Sequence, residues 1–243
     1  MLVKLATFED STPLYLQLAH KLREHIARGD VGTGSALPSE RDLSQMVGMS
    51  RVTVRKAIEM LIDEGLLLRK QGSGTFVAQR IEVPGASLSS FSEDARSRGD
   101  DPGVIWILKT YALPTEEEAS ALELSLSASV ARLCRVRLSG GEPLAIEHAV
   151  VPAVFLPDLA ALGDSLYNVL EQGGMRPVHG TQRIRASLAT PTEAGILSIR
   201  ENGEILRIER RARASDGRSV EFTRSAYRGD RYDLVTNLQG IKS

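Results

Sequence analysis

The sequence predicts an α+β protein in two parts: a small three-helix unit closed by a hairpin, then a larger domain built on an antiparallel sheet. Three observations predict this. Two short helical patterns, each opened by a serine, are separated by only two residues, Gly48 and Met49. A glycine-rich turn, Gln71-Gly72-Ser73-Gly74, sits between two β-like runs directly after them. From about residue 104 onward, strand-like runs alternate with short helical patterns, and "SGGEP" and "SDGR" mark hairpin turns.

The first helix is read from "TPLYLQLAHKLREHIARGD". Leu14, Leu18, Leu22 and Ile26 recur every four residues, with Leu16 and Ala19 nearby, so they form one apolar stripe. Pro13 suits the first turn and Gly29 the stop. In "SERDLSQMVG", Ser39 is the N-cap, Glu40 and Asp42 favour the positive helix end, and Gly48 ends the helix. The third helix, "SRVTVRKAIEMLIDEG", starts at Ser50. Val54, Ala57, Ile58, Leu61 and Ile62 form its buried stripe. Runs 66–70 and 75–78 make the hairpin. Three helices and a hairpin in this order give a winged helix-turn-helix over residues 1–80. "RIEVPGASLSS" reads as a linker, assigned to 81–87, and residues 88–243 as the second domain.

In that domain the strand-like runs are 104–113, 130–139, 143–152, 178–189, 205–214 and 219–227. Helical patterns lie near 116–124, 155–162, 165–171 and 192–199. Trp106 and Tyr111 are expected in the core, and so is Cys134, by the strand alternation.

Composition narrows the function. The net charge is −1, so a basic surface must be local. Residues 11–80 hold ten Lys and Arg against seven Asp and Glu, whereas residues 81–243 hold nineteen against twenty-two. The single cysteine excludes an internal disulfide, and four scattered histidines argue against a zinc cluster. No cofactor and no metal are expected. No apolar run approaches a membrane span, so a soluble cytoplasmic protein is expected.

The third helix carries chemistry at its start. Arg51 and Arg55 are four apart and share a face away from the apolar stripe, with Thr53 at its edge. The first turns of such a helix meet base edges and phosphates in the major groove. Arginine can grip guanine or a phosphate with paired hydrogen bonds, and Ser50 can add a phosphate contact. The segments "LPSERDLSQ", "SRVTVRKAI" and "QGSGTFV" resemble the DNA-binding domain of GntR-type bacterial regulators. The resemblance implies DNA contacts at Arg41, Ser50, Arg51, Thr53, Arg55, Gln71 and Gly72.

In the second domain Arg135 and Arg137 alternate along one strand and so share a face. Paired guanidinium groups suit a phosphate. Ser92, Ser165 and Tyr167 offer hydroxyls, and Glu221, Thr223, Ser225 and Tyr227 share one strand face. "SFSEDARSRG", "LCRVRLSGGEPLAIEHAVVP", "SLYNVLEQGG", "SLATPTEAGIL" and "SVEFTRSAYRGDRYDLV" resemble the UTRA effector domain of the HutC branch. Its fold is like that of chorismate lyase. Within the branch the match is to N-acetylglucosamine-utilisation repressors, which sense N-acetylglucosamine 6-phosphate or glucosamine 6-phosphate. That resemblance implies phosphate contacts at Ser92, Arg135, Arg137, Ser165 and Tyr167, and sugar contacts at Glu147, Glu221 and Tyr227. Glu147 poses a geometric difficulty. A two-residue Gly-Gly turn without irregularity sets Ile146 opposite Arg135 and puts Glu147 on the other face; a loop with an odd number of residues or a β-bulge would restore it.

The expected function is a ligand-responsive transcriptional regulator: a homodimer, and a repressor, on a palindromic operator, modulated by an amino-sugar phosphate. A different phosphorylated or carboxylated metabolite is the alternative effector. Catalysis by Glu147 and Glu221 is not expected, because no nucleophile–base set accompanies them.

Overall fold

The computed structural model describes residues 12–70, 72–78, 81–84 and 88–236. Gln71 and part of the expected linker, 85–87, lie outside the described residues. The chain divides into two compact units, 1–81 and 82–243.

In the first unit, α1 spans Leu14–Ala27, α2 Glu40–Val47 and α3 Arg51–Asp63. Each short helix begins where a hydroxyl satisfies an orphan amide. Ser39 Oγ accepts from the Asp42 amide at 3.2 Å, and Ser50 Oγ accepts from the Thr53 amide at 3.1 Å. Gly48 ends α2 at φ 68°, a left-handed conformation that glycine adopts without strain. Leu18, Leu22, Leu43, Val54, Ile58 and Leu61 are buried together. Leu14 is the exception in the α1 stripe: it sits on the first helical residue and stays about half exposed. The wing is β1 (Leu67–Lys70) against β2 (Gly74–Val77), with Lys70 opposite Gly74. Gly72, at φ 75°, lies in the loop between them.

The second unit carries a six-stranded antiparallel sheet. Its strands are β4 (Pro102–Ala112), β5 (Val130–Ser139), β6 (Glu142–Pro152), β7 (His179–Leu188), β8 (Glu204–Arg213) and β9 (Ser219–Arg228), in the order β4-β5-β6-β9-β8-β7. A two-stranded sheet pairs β3 (Ile81–Pro84) with β10 (Tyr232–Val235). Residues 81–84, within the expected linker, thus form a strand. The helices are α4 (Phe91–Ser97), α5 (Glu116–Leu122), α6 (Leu166–Gln172) and α7 (Pro191–Leu197). One face of the sheet packs Ala131, Leu133, Ala149 and Val151 against Leu166, Tyr167 and Leu170 of α6. The opposite face meets α5 through Val130, Val150 and Phe222, and α7 through Cys134, Ile146 and Ala226. Cys134 is buried there, as its place in the alternation requires, and burial pushes its thiol pKa up.

Two expectations are corrected. The 155–162 helix does not form; a single 3-10 turn, Ala153–Phe155, stands there and irregular chain follows. Pro157 is the cause, since the residue before a proline is kept out of helical space, and Leu156 sits at φ −134°, ψ 69°. Tyr111 is not a core residue. It lies on the edge strand, 44% exposed, and its hydroxyl donates to the Leu156 carbonyl at 2.7 Å.

Candidate functional site

The first unit presents its basic groups to solvent. Arg41, Arg51 and Arg55 are all exposed, and the hydroxyls of Ser50 and Thr53 lie 2.8 Å apart at the start of α3. Arg55 Nε donates to Glu40 Oε2 at 3.0 Å, and Arg69 Nη2 of the wing donates to Glu40 Oε1 at 3.1 Å. One carboxylate therefore ties the third helix to the wing. Sequence reasoning assigned Glu40 only a helix-end role. The tie is a long-range contact, and nothing in the local pattern signals it. Lys56, also basic, is set over the Tyr15 ring at 3.9 Å.

In the second unit the decisive feature is a bulge. Gly140 and Gly141, both at positive φ, close a two-residue turn between Ser139 and Glu142. Leu138 pairs with Pro143, but Arg137 pairs with Ala145, so Leu144 is an extra residue in β6. The extra residue turns Glu147 to face Arg135. Arg135 Nε then donates to Glu147 Oε1 at 2.6 Å, both side chains being buried. Burial alone would raise the Glu147 pKa, but Arg135 and Arg137 outweigh it and hold the carboxyl below its usual range.

Arg137 is differently placed. It is fully buried and makes no ion pair with a carboxylate among the described residues. Its Nη1 donates to the Asp164 carbonyl at 2.6 Å and its Nη2 to Ser92 Oγ at 2.7 Å, while Nε has no partner. The guanidinium lies 4.3 Å from the Phe91 ring centre. Burial, reinforced by the charge of Arg135, lowers its pKa to about 10. Arg135 stacks on Trp106 at 5.0 Å, so Trp106 supports the site as well as the core.

Ser92 is buried on α4, which opens with a capping box between Ser90 and Glu93. Ser165 caps α6 through the Asn168 amide at 3.4 Å. Tyr167 donates to Glu221 Oε2 at 2.7 Å. Burial, then the charge of Glu221, pushes its phenol pKa up.

Glu147, Glu221 and Tyr227 line one cleft, together with Asp94, Arg98 and Arg210. Thr223 and Ser225 line it too, as their shared strand face requires. Burial raises the pKa of Asp94, and it carries that of Tyr227 to about 12. Arg210 was not singled out from sequence. It is held by Gln182 at 2.9 Å and lies 3.5 Å from the Tyr167 hydroxyl. Its strand alternation with Ile208 and Ala212 was the available signal, but four arginines crowd positions 207–213 and only the register picks this one. Among the described residues no group of His, Cys, Asp and Glu could hold a metal, and no helix is long and apolar enough to cross a membrane.

A winged helix with exposed arginines, joined to a domain with a buried polar cleft, defines a DNA-binding transcriptional regulator with a small-molecule domain. The comparisons agree. Residues 97–233 match the UTRA domain, and residues 14–77 match the bacterial regulatory proteins of the gntR family. The HTH-type transcriptional repressor NagR of Bacillus subtilis (strain 168) is 37% identical over 227 residues, covering 92% of this chain and 93% of the relative. The HTH-type transcriptional regulator GgaR of Escherichia coli (strain K12) is 32% identical, covering 93% and 91%. The crystal structure of PhnF from Mycobacterium smegmatis superposes with a TM-score of 0.64 at 26% identity, covering 93% of this chain and 99% of that one. The chain belongs to the gntR family of transcriptional regulators, in the group that carries a UTRA domain.

Proposed function

We propose that the second unit binds an amino-sugar phosphate, N-acetylglucosamine 6-phosphate or glucosamine 6-phosphate, and that binding alters the grip of the first unit on a palindromic operator. Arg137 carries this reading. A buried guanidinium without a carboxylate costs several kcal/mol unless an anion offsets it, and Arg135 and Ser92 are directed at the same point. Phosphate is assigned to Ser92, Arg135, Arg137 and Ser165. The hydroxyls and the amide of the sugar are assigned to Glu147, Glu221 and Tyr227, with Tyr167 orienting Glu221. The resemblance to N-acetylglucosamine-utilisation repressors supports the choice of sugar.

Residues 1–80 are assigned to DNA, with Arg41, Ser50, Arg51, Thr53, Arg55, Gln71 and Gly72 as contacts; 88–243 are assigned to effector binding and dimerisation. A two-fold dimer matches an inverted repeat. Ile105, Ile107 and Leu108, exposed on edge strand β4, support a dimer through the second domain. Deleting the first 80 residues should leave a dimer by light scattering; a monomer would contradict this.

Calorimetry tests the effector. The phosphorylated sugars should bind far more tightly than the free sugars, and Arg135→Ala should weaken only the former. Equal affinity for both would remove the phosphate site. A second reading is favoured by one relative: the mannosyl-D-glycerate transport/metabolism system repressor MngR of Escherichia coli (strain K12), 32% identical over 232 residues. The same arginines suit a carboxylated sugar, so mannosyl-D-glycerate belongs in the same titration.

A further inference from the structure

The donors assigned to the phosphate already share an acceptor. The backbone carbonyl of Asp164 accepts from Arg137 Nη1 at 2.6 Å, from Ser92 Oγ at 3.1 Å and from Arg135 Nη1 at 3.4 Å. Three donors converging on one oxygen is the arrangement a phosphate oxygen would occupy. The carboxylate of the same residue is bonded to Arg96 of α4. Asp164 is thus held at both ends, its carbonyl by the sheet arginines and its side chain by α4.

The chain around it is suited to local movement. Residues 156–165 form neither helix nor strand. Leu156 and Leu162 are buried and pin this strap to the core beneath α6. Between the Leu162 anchor and the α6 cap at Ser165 lie only Gly163 and Asp164. A side-chain carbon built on Gly163 would meet nothing within 4 Å, so this stretch is not packed on that side.

From this we infer that Asp164 is a latch. Its carbonyl is the resident occupant of the anion subsite, an arriving anion must expel it, and expulsion pulls the Asp164 carboxylate off Arg96. Without the carbonyl, Arg137 would keep only the Ser92 hydroxyl as an acceptor, a costly state for a buried guanidinium, so the carbonyl stays until an anion replaces it. The latch makes effector affinity the difference between two occupancies of one subsite. It also ties occupancy to α4, the first helix of the second unit, through both Ser92 and Arg96. The inference rests on the anion-site reading above and adds a positioning residue to it.

The test is a double-mutant cycle with glucosamine 6-phosphate and, separately, inorganic phosphate, read by calorimetry on the full chain. Asp164→Ala keeps the carbonyl but frees its anchor. Affinity should rise about two- to five-fold, the range of a partly exposed ion pair. Removing a negative charge near an anion would also tighten binding, so the substitution is repeated in an Arg96→Ala background. The latch predicts that the gain disappears there, because the partner is already gone. Equal gains in both backgrounds would mean simple charge removal and would overturn the latch, as would no gain in the native background. Hydrogen exchange gives a second readout. Amides in 158–166 should exchange faster in the ligand complex; slower or unchanged exchange would overturn the latch. Binding by the native protein that Arg137→Ala abolishes, with a null cycle, removes the latch alone. No binding of either ligand to any variant removes both the latch and the anion site.

Discussion

The two units use the same side chain in opposite surroundings. Arg51 and Arg55 of α3 stand in solvent, and Arg55 leans on one carboxylate that also holds the wing. Arg135 and Arg137 are buried in the second unit and Arg210 is partly buried, each fixed by two or more hydrogen bonds. The difference follows from the partner. A DNA duplex is large and cannot enter a cavity, so its readers project, and water and salt weaken each contact. A small anion can be enclosed, so its binders are desolvated and preorganised, and each contact weighs more. On the proposed function, the burial of an arginine therefore distinguishes the two kinds of anion site in this chain.

The largest expected effect is at Arg137. Its two outer nitrogens would each give a charge-assisted bond of about 1.5–3 kcal/mol to a phosphate. Arg137→Ala should weaken sugar-phosphate binding by roughly a hundredfold or more, while operator binding in the absence of ligand is retained. Burial and the charge of Arg135 lower the Arg137 pKa, but a guanidinium stays protonated throughout the working pH range, so its charge is present to hold an anion.

At the exposed site the effects are smaller per residue. Arg51→Ala or Arg55→Ala should cost about 1–3 kcal/mol in operator affinity if the contact reads a base, with thermal unfolding unchanged. Both side chains project away from the stripe that holds α3 in place. Unchanged operator affinity in both variants would remove α3 from the interface.

Smaller again is the Glu40 tie. Its partners Arg55 and Arg69 are about half exposed, so Glu40→Gln should change stability by no more than about 1 kcal/mol. Its signature should be relaxed discrimination between operator and random DNA, because two arginines lose a common anchor. Discrimination equal to that of the native protein would make the tie incidental. On the opposite sheet face, Glu193 offers a comparison of pH effects. Its bond to Arg207 holds its pKa down at about 2. A carboxyl lowered on folding adds stability that is present above about 4.5 and lost as pH falls toward 2. Glu193→Gln should therefore flatten the acid limb of the stability profile between those values, and an unaltered limb would contradict the pairing.

Legibility in the sequence followed locality. The caps at Ser39 and Ser50, the glycine stop at Gly48 and the wing turn depend on residues a few positions apart, and each appeared where the pattern put it. The shared face of Arg135 and Arg137 followed from strand alternation alone. What escaped reading was set across the chain. The bulge at Leu144 decides which way Glu147 faces; the sequence raised a bulge as one of two remedies, but alternation could neither choose it nor locate it. The Asp164 carbonyl meets Arg137 from 27 positions away, and a backbone acceptor carries no residue-type signal. The helix expected at 155–162 failed for a local reason that was present in the sequence: Pro157 outweighed the apolar spacing.

The claim that joins the two units is that filling the buried site changes the exposed one. The direct measurement is operator affinity by fluorescence anisotropy, titrated with glucosamine 6-phosphate, for the native protein and for Arg137→Ala. The account predicts that operator affinity of the native protein shifts as the ligand saturates, and that Arg137→Ala binds the operator but ignores the ligand. Native operator affinity that stays constant through ligand saturation, or an Arg137→Ala variant that responds as the native protein does, would contradict it.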